Sequence, residues 1–201
     1  MEHPRRIEMH PPRRVLILGN IGAGKGELGT LIADRFSLPL VSLAQDLAQE
    51  QTRAEQTDNS HQPINAEHWR SYVNDRAGNA FWVMAGNDPE TFDLRVPRAD
   101  WIIWIDLPVM SCLTHRLRKL FQGKIWRQPS KDLFSWPDVR AILNFPVEVA
   151  PLINRMIERE RRNRTIFILR SRQDVTAFVA RLPEFGGMGG SGLGGTGKGK
   201  H

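Results

Sequence analysis

The sequence predicts an α/β protein in three layers, with a five-stranded, mostly parallel sheet between two layers of helices. Three observations predict it. Short apolar runs alternate along the chain with segments of helical periodicity, the order of strands and helices in a doubly wound sheet. The runs are apolar at almost every position, as strands covered on both faces require. The first run opens into a glycine-rich turn and then a helical pattern, and strand, glycine-rich turn and helix in that order make a phosphate-binding loop. A length of 201 residues suits one such domain with a sizeable core.

The first strand is at 15–18. Residues 27–36 form a helix with Leu28, Leu31, Ile32 and Phe36 on one face. A short strand at 39–43, a polar helix at 43–57 and a loop at 58–63 follow. Another helix starts at Asn65 and runs through Trp69 and Val73. The remaining strands are at 81–84, 101–105 and 165–169. Pro108 opens a helix whose apolar stripe is Val109, Cys112, Leu113, Leu117, Leu120 and Phe121. The charge run at 158–164 ends a further helix as a solvated face. Ligands of such sheets collect at the carboxyl ends of the strands, here Gly19, Leu43, residues 85–87, Asp106 and Arg170.

The turn reads Gly19-Asn20-Ile21-Gly22-Ala23-Gly24-Lys25-Gly26-Glu27. Its glycines let the backbone direct several N–H groups at one anion, and the helix N-terminus behind it adds partial positive charge. Lys25 then stands over the outer phosphates. Gly19, Gly22, Ala23, Gly24, Lys25, Gly26 and Glu27 are the candidate cofactor-binding residues. Gly26 occupies the position where the commonest form of this loop has a Ser or Thr whose hydroxyl holds the metal ion. Glu27 is either a first-turn acid favoured by the helix dipole or a carboxylate set against the phosphates unless it holds the metal through water.

Composition excludes several classes. One cysteine, Cys112, leaves no internal disulfide, and no apolar run reaches membrane-spanning length. No apolar secretion core follows the N-terminal arginines, and Glu2 and Glu8 argue against a transit peptide, so a cytoplasmic protein is expected. Of the formal charge of +6, the first fourteen residues and the glycine-rich tail each supply +2 and the body the remaining +2, which suits anionic nucleotides and gives no support for specific nucleic-acid binding. Residues 1–13 are expected to be a disordered Pro/Arg-rich segment, 14–185 the domain, and 186–201 a disordered Gly-rich tail. No His/Cys/acid spacing suits a protein-held zinc ion. A monomer and a homodimer both remain open.

The stretches GNIGAGKGE, LPLVSL and FWVMAGNDPETFDLRVPRADWIIWIDLP, followed by a basic helix bearing Cys112 and Leu113, resemble the small kinases related to adenylate kinase that are labelled topology-modulation (FlaR-like) proteins. The resemblance covers residues 14–182, with Gly86, Asn87, Thr91, Arg95, Ala99, Asp100, Asp106 and Pro108 at matching places. It implies a P-loop NTPase fold of the nucleoside- or adenylate-kinase type, ATP and Mg2+ as cofactors, and phosphoryl transfer to a nucleotide or other small molecule. The departures are specific. Ala85 stands where the family has an Asp before Gly-Asn, Ala44 where an Asp is common, Gly26-Glu27 after the lysine, and Val109 where an Arg is frequent. Phosphoryl transfer rests on metal and cation stabilisation, so these losses weaken the metal site while leaving backbone N–H groups and Lys25 able to bind nucleotide.

Single residues carry competing readings. Asp106, ending the fourth strand, holds a metal through water or caps the helix after Pro108. Arg95 clamps an acceptor or phosphate bidentately, with Asn87 beside it, or pairs at the surface like Arg98 with Asp93 and Asp100. Arg116 falls within an apolar stripe, where its head meets a phosphate or snorkels to water; the family register instead favours His115, Arg118 and Lys119, making Arg118 the candidate nucleotide contact. Residues 122–137, with Lys124, Arg127, Lys131, Trp126 and Trp136, resemble the short lid of these kinases, whose closure excludes water. Arg127 is then the transition-state cation, and otherwise the segment is a basic loop anchored by its tryptophans. Lys25, Arg127, Arg95 and Asp106 are the catalytic candidates. The expected function is an ATP-dependent kinase; the alternative is a catalytically impaired nucleotide-binding sensor or partner-binding protein.

Overall fold

A computed structural model describes residues 11–58, 65–125 and 136–185. The elements are β1 (Arg14–Gly19), α1 (Lys25–Phe36), β2 (Leu40–Ser42), α2 (Leu43–Asp58), α3 (Ala66–Gly78), β3 (Trp82–Ala85), α4 (Phe92–Arg95), β4 (Trp101–Ile105), α5 (Val109–Ile125), α6 (Trp136–Glu148), α7 (Ala150–Glu160), β5 (Thr165–Leu169) and α8 (Arg172–Arg181). The five strands form one sheet in the order β2-β3-β1-β4-β5, and every pairing is parallel. The fold is thus three-layered and of the P-loop NTPase type, with a sheet that is wholly parallel.

The near-continuous apolar runs are explained by alternation across two cores. Val15, Ile17, Val83, Ile103 and Ile105 face one core with Leu28 and Ile32 of α1, Cys112 of α5 and Phe178 of α8. Leu16, Leu18, Met84, Ile102 and Trp104 face the other with Trp69 and Val73 of α3, Phe145 of α6 and Ile153 and Ile157 of α7. Each buried side chain of this size contributes about 1.5–3 kcal/mol relative to exposure, so neither face of the central strands accepts a polar residue. In the first core Trp101 meets Phe36, Phe167, Phe178 and Phe185 edge-on at 5.2–6.5 Å.

Strand order fixes the site. The chain leaves β1 for β2 at one edge, returns to β3 beside β1, and then crosses to β4 on the other side. The order therefore reverses at β1, and the crevice beyond its carboxyl end is where such sheets bind ligands. Gly19 is the last residue of β1 and α1 begins at Lys25, which places the glycine-rich turn in that crevice.

Several local readings change. The segment at 11–13 belongs to the domain: the Arg13 amide donates to Asp100 Oδ2 at 2.9 Å, and its carbonyl accepts from Trp82 N–H. β2 is only three residues long because α2 starts immediately at Leu43. The helix expected from Asn65 is there: Asn65 caps α3, its side chain accepting from the Glu67 amide. α5 continues to Ile125 and α6 starts at Trp136, so both ends of the segment read as a lid are helical. Trp136 is 83% exposed and anchors nothing among the described residues. Residues 126–135, with Trp126, Arg127 and Lys131, lie outside the described residues, as do 1–10, 59–64 and 186–201. Among the described residues no helix is long and apolar enough to cross a membrane.

Candidate functional site

The glycine-rich loop is built by a few short contacts. Gly22 and Gly24 adopt φ of +78° and +97°, a left-handed backbone that disfavours side chains. At Gly22 a Cβ would also overlap the carbonyl oxygen of Cys112, so the loop lies directly against α5. Ala23 N–H donates to the Asn20 carbonyl at 3.1 Å and closes the turn. The buried Asn20 side chain accepts from Ile21 N–H at 2.7 Å and donates to the Ile142 carbonyl at 2.9 Å, fastening the loop to α6. Gly19 N–H donates to Asn87 Oδ1 at 3.0 Å, which ties the loop to the segment after β3. The N–H groups of Gly22, Gly24, Lys25 and Gly26 have no acceptor among the described residues. Together with the α1 N-terminus they form a set of unused donors at the carboxyl end of the central strand.

Lys25 is folded back over this loop. Its ammonium donates to the carbonyls of Gly19 and Asn20 at 2.8 and 2.9 Å. Burial pushes its pKa down to about 8, against smaller opposing pulls from Cys112 and Glu27. A partly desolvated ammonium held only by neutral carbonyls is stabilised by any anion that enters the loop. Burial likewise pushes the Cys112 thiol up, with the charges of Arg172 and Lys25 opposing, so Cys112 is a packed residue beneath the loop and not a nucleophile.

Glu27 lies in the first turn of α1 and reaches across to α5, with Oε1 3.4 Å from His115 Nε2. Arg118 is exposed one turn beyond His115 on α5, the spacing of neighbours on one helix face. Gly26 has open space where a Cβ would be, so nothing in the fold excludes the missing hydroxyl.

Asp106 follows β4, beside the end of β1, with its N–H donating to the Leu169 carbonyl at 2.8 Å. Its carboxylate accepts no hydrogen bond among the described residues, so it does not cap α5. Burial raises its pKa, opposed by the charge of Arg170. Among the described residues no group of three His, Cys, Asp or Glu side chains could hold a metal ion.

Arg95 is corrected most sharply. It is 0% exposed. Nε donates to Thr91 Oγ1 at 3.0 Å, Nη1 to the Gly86 carbonyl at 2.9 Å, and Nη2 to the carbonyls of Asn87 and Asp88 at 2.6 and 2.8 Å. Burial pushes even this guanidinium down to about 10. Arg95 therefore moulds the segment carrying Asn87 and does not itself reach a ligand. Arg98 and Arg116 are engaged too, Arg98 on Asn74 Oδ1 at 3.0 Å and Arg116 on Asp138 at 2.6 Å.

The departures also have places. Ala85 is buried in the apolar core against α1, close to Gly29. Ala44 is exposed in the first turn of α2, and Asp46, two residues on, accepts from the Tyr72 hydroxyl at 3.0 Å.

One residue of the loop's support escapes a motif reading. Arg172, in the first turn of α8, donates to the carbonyls of Ala23 at 3.3 Å, Gly22 at 3.2 Å and Ser111 at 3.4 Å. Holding those carbonyls outward turns the loop's amides inward. The start of α8 is fixed by a capping box in which Ser171 Oγ accepts from Asp174 N–H and Asp174 Oδ2 accepts from Ser171 N–H. The Ser-x-x-Asp spacing is legible in the sequence and marks where that arginine enters. No model of a known protein family matches this chain, and no curated protein matches it.

Proposed function

We propose that the chain binds ATP with Mg2+ at residues 19–25 and transfers the γ-phosphate to a small molecule, as an adenylate-kinase-like phosphotransferase of the topology-modulation type. One observation carries the reading. Four amides without acceptors among the described residues and a partly desolvated lysine converge at the end of the central strand, an arrangement suited to a polyphosphate. The loop amides bind and orient the phosphates. Lys25 exchanges its two carbonyl partners for phosphate oxygens. Magnesium bound with the nucleotide would supply charge neutralisation, and Asp106, whose carboxylate accepts no hydrogen bond among the described residues, would hold it through water.

A second reading has its own support. Gly26 lacks the hydroxyl, and Ala85 buries a methyl where relatives in the proposed class carry an acid, which favours a nucleotide-binding sensor without chemistry. ATP turnover by wild type, Lys25→Ala and Gly26→Thr, each with magnesium, separates the two. The kinase reading expects turnover in wild type and its loss in Lys25→Ala. Binding without turnover in wild type, with turnover gained in Gly26→Thr, supports the sensor. No binding in wild type overturns both.

A further inference from the structure

A groove runs between α7 and the segment at 89–97, with a volume of about 290 Å³. Its floor is apolar, with Phe92, Val96 and Pro97 on one side and Leu152 and Met156 on the other. Val96 is buried, while Phe92, Leu152 and Met156 are only half-buried, so the floor is open to solvent along its length. On α7 the groove runs from Leu152 to Glu160, which makes it about 12 Å long. Its walls are fixed before anything enters. Arg164 donates to the carbonyls of Ala99 and Pro97, joining the chain after α7 to the segment opposite. Phe92 lies against the buried Arg95 guanidinium, 5.3 Å from its ring centre. Beneath, Ile153 and Ile157 of α7 share a core with Val96. A preformed groove spares a partner the cost of ordering it.

The charges on its rims are answered unequally. Asp93 is paired with Arg70 at 2.7 Å, and Glu160 faces Arg164 at 3.8 Å. Arg155 and Arg159 stand exposed on the α7 rim. Neither has an acceptor among the described residues, and Glu158 between them turns to Arg161 at 3.5 Å. The rim therefore carries two unanswered positive charges one turn apart, about 6 Å along the helix axis. A helix laid in an apolar groove anchors through side chains at i, i+3 or i+4, and i+7, a span of about 10 Å, which this groove accommodates. Carboxylates four residues apart on such a helix repeat the spacing of the two arginines, and each guanidinium can take one bidentately. Two separated charges beside an open, elongated slot suit a segment of chain better than an enclosed small molecule.

We infer that the groove between α4 and α7 docks an amphipathic, acidic helix of a partner protein. Its apolar side chains rest on Phe92, Leu152 and Met156, and two acidic residues four apart pair with Arg155 and Arg159.

The test selects displayed helical peptides on the full chain, with leucine fixed at i, i+3, i+4 and i+7 and the flanking positions varied. The inference expects Asp or Glu to be enriched at two flanking positions four apart. A synthetic peptide carrying them should bind, and fluorescence anisotropy should show its affinity falling at least about tenfold in the double variant Arg155→Ala and Arg159→Ala. Those two changes lie on an exposed helix face and leave the fold intact. Reversing both charges, Arg155→Glu with Arg159→Glu, should transfer the preference to a peptide with lysines in place of the acids. Met156→Glu should weaken the acidic peptide as well. Selection without acidic enrichment, or equal binding to wild type and the double alanine variant, overturns the inference. So does a dimer in sedimentation that Met156→Glu disperses, because a second copy then fills the groove. Failure to select any peptide, with dodecanoate bound in wild type and lost in the double alanine variant, also overturns it and marks a small-molecule site.

Discussion

Two segments at the carboxyl ends of neighbouring strands look alike in sequence and differ in the fold. Residues 19–27 and 86–95 each combine glycine, asparagine and a cation. In the first, the cation rests on two carbonyls, and the amides of Gly22, Gly24, Lys25 and Gly26 have no acceptor among the described residues. In the second, the cation is fully buried and every named contact is internal. The difference teaches that a basic residue near a strand end is a ligand contact only where its present partners can be exchanged. Lys25 can release two neutral carbonyls to an entering phosphate. Arg95 cannot leave without stranding three carbonyls.

The largest expected effect breaks the second segment. Arg95→Leu leaves the carbonyls of Gly86, Asn87 and Asp88 without their donor, at a cost of about 3 kcal/mol or more, read as a lowered denaturation midpoint. If the variant keeps wild-type stability and loses only turnover, Arg95 is a ligand contact after all and the contrast fails. Next comes the backbone of the first segment. Gly22→Ala adds a Cβ at positive φ against Cys112 and should cost about 2 kcal/mol together with nucleotide affinity. Gly26→Ala, in open space on α1, should stabilise by about 0.5–1 kcal/mol. Equal effects at the two glycines would contradict the loop geometry.

A subtler effect sharpens the contrast through protons. Lys25 has a folded pKa of about 8, below its ordinary 10.5. Between those values the unfolded chain holds more protons, so stability without ligand rises with pH across that window. Entering phosphates raise the Lys25 pKa, so ATP binding at about pH 9 takes up protons. Calorimetry in buffers of different ionisation enthalpy should detect this in wild type and not in Lys25→Ala. No uptake in wild type would mean that the ammonium keeps its carbonyls when nucleotide binds.

The fold was legible because its strongest signals are local. The strands at 101–105 and 165–169 have those same bounds in the structure, because a nearly continuous apolar run marks each; the first is buried throughout and the second, at the sheet edge, is mostly half-buried. The strand, glycine-rich turn and helix at 14–36 were equally plain, because the glycines and Lys25 fall within nine residues of chain. What escaped depends on distant partners. The engagement of Arg95 requires the path of 86–88, and that of Arg116 requires Asp138 on α6. α6 itself was hidden by Pro146 within it, although Pro137 and Asp138 are helix-start signals. Arg172 reaches the loop across some 150 residues of chain, which no local pattern announces.

The measurement that tests the central claim most directly is ATP affinity by titration calorimetry, with and without magnesium, for wild type and Lys25→Ala. The account predicts binding strengthened by magnesium and weakened about 10- to 100-fold in the mutant, the scale of one or two charge-assisted hydrogen bonds. Binding that is equal in the two proteins, or absent from wild type, would contradict it.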